Sequence, residues 1–349
     1  MTQDATADRV LAAVRQRRDR VNAAIDEDLP MAEPERLYEA SRYILEAGGK
    51  RLRPTAALLV AEALAGVDAD ATTDYRSFPA LDGEPFDLMR TAVSVEVIQS
   101  FTLIHDDIMD DDDLRRGEPA VHRAYDMETA ILAGDTLYAK AFELLSDTGA
   151  DPANTVEAVN RLASACTRIC EGQSLDVEFE NRDDVTPEEY LEMVELKTAV
   201  LYGASAAIPA VLMDADDETV EALYQYGVDS GRAFQIQDDV LDLTVPSEKL
   251  GKQRGSDLVE GKETLITLHA RQQGVDVDGL VSAETPAEVS EAAVDDAVAV
   301  LEDAGSIDYA REMAEDLTER SKERLTVLPE GPARDLLADL ADYLISRGY

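Results

Sequence analysis

Phe101-Thr102-Leu103-Ile104-His105-Asp106-Asp107-Ile108-Met109-Asp110 is the stretch that decides the fold. Its apolar lead predicts a helix, on which Asp106 and Asp110, four residues apart, lie about 40° apart around the axis. Both carboxylates therefore leave from nearly one face, with Asp107 flanking them. Phe234-Gln235-Ile236-Gln237-Asp238-Asp239-Val240-Leu241-Asp242 repeats the spacing after a similar apolar and amide lead. Three acids within five residues repel one another, and acids near a helix C-terminus oppose its dipole. Each motif calls for a neutralising cation. Hard divalent ions take oxygen ligands, and Mg²⁺ characteristically uses one or two carboxylates with phosphates and waters completing its shell. Asp106, Asp107, Asp110, Asp238, Asp239 and Asp242 are thus candidate metal ligands for several Mg²⁺ ions around one diphosphate. A solvated acidic face would account for either motif alone, since about one residue in five is acidic.

Outward from these motifs the chain repeats apolar residues at three- and four-residue intervals, as in Leu11, Val14, Val21 and Ile25, or Leu191, Val194, Leu201 and Tyr202. This spacing predicts helices near 9–28, 34–48, 52–65, 87–110, 123–147, 153–180, 187–204, 217–242, 261–273, 286–303, 306–327 and 331–347. Strand-like alternation is nearly absent, so the expected class is all-α, a helical bundle. The stretches Gly66 to Pro85, Val245 to Gly261 and Asp276 to Pro286 read as loops, none of them long enough to separate domains. One domain over 1–349, with an acidic N-terminal lead and a surface loop near 66–85, is the expected organisation.

Composition narrows the partners. The net charge of −42, from 74 acidic against 32 basic residues, repels nucleic acid phosphates and anionic lipid surfaces. The acidity is spread along the chain and only seven basic residues are lysine, a pattern like that of adaptation to concentrated salt, where screening makes like charge tolerable. No stretch approaches the ~18 apolar residues of a membrane span, and the N-terminus carries no secretory signal. A cytoplasmic location and no membrane insertion are expected. Cys166 and Cys170, four apart in a helical stretch, close no useful disulfide loop and read as small core residues.

Lysine is scarce, yet four of the seven lie near glycine-rich or aspartate-rich segments. Gly48-Gly49-Lys50-Arg51-Leu52-Arg53-Pro54 opens a helix, with Lys50 and Arg53 able to grip an anion. Arg115-Arg116-Gly117 sets a cation pair at a turn just past the first motif, and the guanidinium fork suits diphosphate oxygens. Gly251-Lys252-Gln253-Arg254-Gly255-Ser256-Asp257 and Gly261-Lys262-Glu263-Thr264 follow the second motif, and Leu196-Lys197-Thr198 precedes it.

From Gly48 through Thr264 these motifs, in this order and spacing, make the chain resemble the short-chain trans-isoprenyl diphosphate synthases, the farnesyl and geranylgeranyl diphosphate synthase family, of an archaeal halophilic type. The resemblance implies a helical bundle of the isoprenoid synthase type with a central active-site cavity, assembled as a homodimer. It implies that the six aspartates hold Mg²⁺ and that Arg115, Lys197, Lys252 and Lys262 bind an allylic diphosphate. Lys50, Arg53, Arg116 and Gln99 would bind isopentenyl diphosphate. Many members carry His where Gln99 stands, so a hydrogen bond is retained without a titrating charge. Thr198 and Gln235 would stabilise an allylic cation with their oxygen dipoles, and released pyrophosphate would take the proton. His105 reads as structural or supporting, since the three histidines have no zinc-site spacing.

The resemblance also implies that Phe101 and Thr102, one turn and more upstream of Asp106, set product length. An aromatic at Phe101 with a small residue at Thr102 implies geranylgeranyl diphosphate made from dimethylallyl, geranyl and farnesyl diphosphates, with farnesyl or geranylfarnesyl diphosphate as the alternative product. A class I terpene cyclase normally lacks the Gly48 to Pro54 segment and has a different second metal motif. A noncatalytic synthase subunit would have lost aspartates or lysines. An acidic helical scaffold without chemistry is the remaining rival.

Overall fold

The computed structural model describes residues 3–68, 72–81, 83–179, 181–182, 184–250, 253–281 and 289–346. The chain is all-α, as its periodicity predicts. The helices are α1 (Gln3–Asp28), α2 (Glu35–Glu46), α3 (Leu52–Ala65), α4 (Leu88–Met109), α5 (Val121–Ala124), α6 (Met127–Ser146), α7 (Pro152–Phe179) and α8 (Pro187–Val194). After a π-helical turn, Glu195–Ala199, come α9 (Val200–Leu212), α10 (Asp217–Thr244), α11 (Ser247–Leu250), α12 (Ser256–Val259), α13 (Leu265–Gln272), α14 (Glu291–Asp303), α15 (Ser306–Arg324) and α16 (Pro332–Ser346). Extended structure among the described residues is a minimal antiparallel hairpin, β1 (Leu114–Arg115) with β2 (Glu118–Pro119), and a bridge between Phe78 and Phe86. No described helix is long and apolar enough to cross a membrane.

Contacts divide the chain into two compact units. The first comprises Met1–Cys166, Ala204–Tyr224 and Leu325–Asp339, the second Thr167–Gly203, Gln225–Arg324 and Leu340–Tyr349.

In the first unit α4 is the central helix, packed on α3, α6 and α1. Asp87 caps its start by accepting a hydrogen bond from Arg90 N at 3.0 Å, which satisfies one of the amides a helix N-terminus leaves open. Its first half, Leu88 to Ile98, is buried on nearly every side, whereas Gln99, Phe101, Thr102, Leu103, His105 and Asp106 are half-buried. One helix thus supplies both core and a polar face. Gly134 of α6 allows the close packing: a Cβ there would stand 2.3 Å from His105 Nε2. Among the described residues of the stretch from 66 to 85, Tyr75 and Phe78 are buried and the others exposed or half-buried. Tyr75 Oη donates to Glu62, which Arg17 also grips by ion pairing. A buried carboxylate left without these partners would be strongly destabilising, so the loop is tied down by what lies beneath it.

In the second unit a core of Tyr190, Met193, Val194, Ile236, Val240, Leu243, Leu265 and Ile266 joins α8, α10 and α13. Thr186 and Glu189 form a capping box at the start of α8, with Pro187 in the first turn. The expected helix over 187–204 is instead interrupted and longer. It opens into the π turn, in which Val200 N–H donates to Glu195 O, and α9 then continues past Pro209 to Leu212. Every α9 residue is buried, and packing of that kind outweighs the local preference of a proline to end a helix. Three helical glycines allow the backbones to approach. Added Cβ atoms at Gly172, Gly227 and Gly231 would lie 2.2 Å from Lys197 N, 2.3 Å from Tyr202 O and 2.7 Å from Ala199 Cα. Both cysteines are free; Cys166 is buried as expected, but Cys170 is exposed.

Candidate active site

The first unit gathers one set of the predicted residues. Asp106 and Asp107 stand in the last turn of α4, with Asp110 as its C-cap. Asp107 is fully buried. Arg115 folds back on this turn: its Nε donates to Asp107 Oδ1 at 2.6 Å, and its Nη2 lies 3.2 Å from Asp112 Oδ2 and 3.9 Å from Asp106 Oδ2. Burial raises the Asp107 carboxyl above the usual carboxylate range, against the opposing pull of the Arg115 guanidinium.

Arg116 and Gly117 form the two-residue hairpin turn between β1 and β2, with φ of 57° and 84°. Both central residues at positive φ are what a tight hairpin needs to match strand twist. The turn sends consecutive guanidiniums to different neighbours. Arg116 Nη1 donates to Gly48 O, and a Cβ on Gly49, whose φ is 147°, would meet that guanidinium at 3.0 Å. Arg116 is thereby brought to the Gly48-Gly49 loop that leads to exposed Lys50 and half-buried Arg53. Arg51 between them is structural: buried, at φ 53°, it donates to Glu96, Asn22 Oδ1 and Leu45 O. Phe101 packs edge-on to His105 and to Tyr138 of α6, with ring centroids 4.9 and 5.1 Å apart. Thr102 Oγ1 donates to Gln99 O at 2.9 Å.

The second unit gathers the other set. Lys197 and Thr198 lie in the π turn, and Lys197 Nζ donates to Asp176 Oδ2 at 2.6 Å. Thr198 Oγ1 donates to Gln235 Oε1 at 3.2 Å, and Gln235 Nε2 donates to Asp239 Oδ1 at 3.1 Å. The buried Tyr190 hydroxyl donates to Asp239 Oδ2. Burial, then the charge of nearby Asp257, pushes the Asp239 carboxyl well above the usual range despite those hydrogen bonds. Asp242 is also buried; its Oδ1 accepts from Ser256 Oγ at 2.9 Å and its Oδ2 from Asp257 N at 3.3 Å, which fixes the loop that opens α12. Asp238 is the half-buried member of the three. Lys262 is exposed, 2.9 Å from Glu260 Oε2. Lys252 lies outside the described residues.

Sequence reasoning gave no role to Gly172, Asp176, Tyr190 or Asp257. Gly172 and Asp176 share one turn of α7 and were visible only as a helical glycine and one acid among many; Tyr190 carried no signal in local spacing.

The residues present fit Mg²⁺. Asp107 Oδ2 is buried without a hydrogen-bond partner, a condition a carboxylate tolerates poorly unless a further group complements it. Both motifs offer only hard oxygen donors. Among the described residues no three His, Cys, Asp or Glu side chains form a ready-made metal cluster.

Comparison with known proteins identifies the family. Residues 34–300 match the polyprenyl synthetase family model. The chain is 67% identical over 344 residues, 99% of both chains, to geranylfarnesyl diphosphate synthase of Natronomonas pharaonis. The geranylgeranyl pyrophosphate synthetase structure from Geoglobus acetivorans superposes with a TM-score of 0.84 at 46% identity, covering 96% of this chain and 99% of that one. A polyprenyl synthase from Caulobacter crescentus, solved with calcium and isoprenyl diphosphate, gives a TM-score of 0.80 at 31% identity, with 98% of each chain covered. With these similarities spanning both units, the chain belongs to the polyprenyl synthetase family of trans-prenyltransferases.

Proposed function

We propose that the protein condenses isopentenyl diphosphate with dimethylallyl, geranyl and farnesyl diphosphates in a Mg²⁺-dependent reaction, with geranylgeranyl diphosphate as the main product. The observation that carries the reading is the division of labour between Arg115 and Arg116. One guanidinium lies on the first aspartate motif, and the next lies on the Gly48-Gly49 loop beside Lys50 and Arg53. Two cationic anchors so separated suit two diphosphates.

Asp106, Asp107, Asp110, Asp238, Asp239 and Asp242 would hold Mg²⁺, which when bound supplies positive charge to the departing pyrophosphate. Arg115, Lys197, Lys252 and Lys262 bind the allylic diphosphate and balance the charge that grows as its C–O bond breaks. Lys50, Arg53, Arg116 and Gln99 hold isopentenyl diphosphate with its double bond toward the allylic carbon. The Thr198 and Gln235 oxygens stabilise the cation from the side. A carbon–carbon bond forms at the allylic carbon, the isopentenyl unit loses a proton to released pyrophosphate, and the product is again an allylic diphosphate. Phe101 and Thr102 limit its length. The chain acts as one catalytic domain and pairs as a homodimer.

A second reading, geranylfarnesyl diphosphate as the main product, is favoured by the 67% identical relative that bears that name. Incubation with labelled isopentenyl diphosphate and each allylic diphosphate, followed by chain-length analysis, decides between them. Lack of incorporation with every allylic primer refutes the proposal altogether.

A further inference from the structure

Four side chains of the second unit form one line of hydrogen bonds, and its direction is chemically determined. Tyr190 Oη and Gln235 Nε2 both donate to Asp239, one to each carboxylate oxygen, and Thr198 Oγ1 donates to Gln235 Oε1. A carboxylate oxygen can only accept, so the end of the Gln235 amide facing Asp239 must be its NH₂. The carbonyl end then faces Thr198 and accepts that hydroxyl's hydrogen bond. Thr198 is left with lone pairs for anything else it meets.

We infer that Tyr190 is a positioning residue for the prenyl transfer reaction: by fixing Asp239 it locks the Gln235 amide and Thr198 hydroxyl with their oxygens, not their protons, available to a developing cation. The inference rests on the reading of Thr198 and Gln235 given under Proposed function. A released amide would be free to turn by half a rotation and offer N–H groups to positive charge, which opposes ionisation rather than assisting it. Tyr190 suits the task because it is 2% exposed, in the apolar stripe of α8 with Met193 and Val194, so neither its ring nor water can take up the slack. Its hydroxyl is the polar group of that stripe.

The test is a double-mutant cycle of Tyr190→Phe and Gln235→Leu, with single-turnover prenyl transfer normalised to active sites counted by titration with Mg²⁺ and pyrophosphate. That normalisation removes any unfolded fraction from the rates. Tyr190→Phe should slow the chemical step about tenfold to a hundredfold. In the Gln235→Leu background the same change should have almost no effect, since the amide it orients is gone. The rate ratio between an allylic diphosphate and its 2-fluoro analogue, whose cation is destabilised by fluorine, should rise in Tyr190→Phe. A hydroxyl that merely supports packing would slow both backgrounds equally and leave the fluorine ratio unchanged, and either result overturns the inference. If instead the parent chain itself forms no prenyl product, the proposed function is what fails.

Discussion

Gly172→Ala is the substitution whose consequence is most directly readable. The added methyl carbon would stand 2.2 Å from Lys197 N, 2.7 Å from Leu196 C and 2.7 Å from Lys197 Cα, against an ordinary contact of 3.4 Å or more. The shortfall against the nearest atom is about 1.2 Å. All three obstacles are backbone, so no flexible side chain can swing away. Either α7 or the π turn must shift. Overpacking of this kind costs about 1–3 kcal/mol, and a displacement of about 1 Å at a reacting group can cost about a hundredfold in rate. Lys197 and Thr198 ride on the turn that would move, so kcat/KM should fall on the order of a hundredfold, and the urea midpoint should drop with an unchanged slope. Gly331→Ala is the control, because nothing lies within 4 Å of its added carbon. Urea melts and isopentenyl diphosphate incorporation measure both effects. If Gly172→Ala kept turnover within about threefold of the parent at the parental midpoint, the coupling of α7 to the π turn would be refuted.

Asp106→Ala and Asp238→Ala should each lower turnover about a hundredfold or more while leaving thermal melts near the parent; activity should vanish with chelator and return with Mg²⁺, and near-normal turnover in both variants would remove the metal assignment. With a net charge of −42, thermal stability should rise with potassium chloride into the molar range, and a melting temperature that fell with added salt would contradict that. Phe101→Ala, by emptying the space beside Tyr138 and His105, should lengthen the main product, and Thr102→Phe should shorten it; identical chain-length distributions in both variants would separate these residues from product length.

What could be read from the sequence was whatever is encoded locally. Helix α3 matches its expected bounds because Pro54 lies in its first turn and Gly66 ends it in a left-handed conformation at φ 62°. The arginine turn was visible because Arg-Arg-Gly interrupts a polar segment. The π turn was not, since one extra residue between two apolar helical stretches leaves the pattern of hydrophobic spacing looking helical. Nor could the partners of Asp242 be foreseen: Ser256 and Asp257 are distant in sequence, and only the folded loop brings them to the carboxylate. The Tyr190 hydrogen bond to Asp239 spans 49 residues and leaves no trace in local spacing.

The π turn has a consequence for how the chain can change its length. Its Val200 to Glu195 hydrogen bond encloses one more residue than an α-helical bond would. Deleting any one residue between Glu195 and Ala199 would permit an unbroken α-helix, with every backbone amide satisfied and helix propensity improved. Because the wider turn already takes up the extra residue, five residues winding through about the same angle as four at about 100° each in an α-helix, the helix on either side would keep nearly its rotation. What would change is the turn itself, with Lys197 and Thr198. Insertions and deletions are ordinarily absorbed by loops. Here the buried helix would accommodate a shortening that the side chains on the turn would not, so the residue count of this five-residue turn is constrained by where Lys197 and Thr198 must stand.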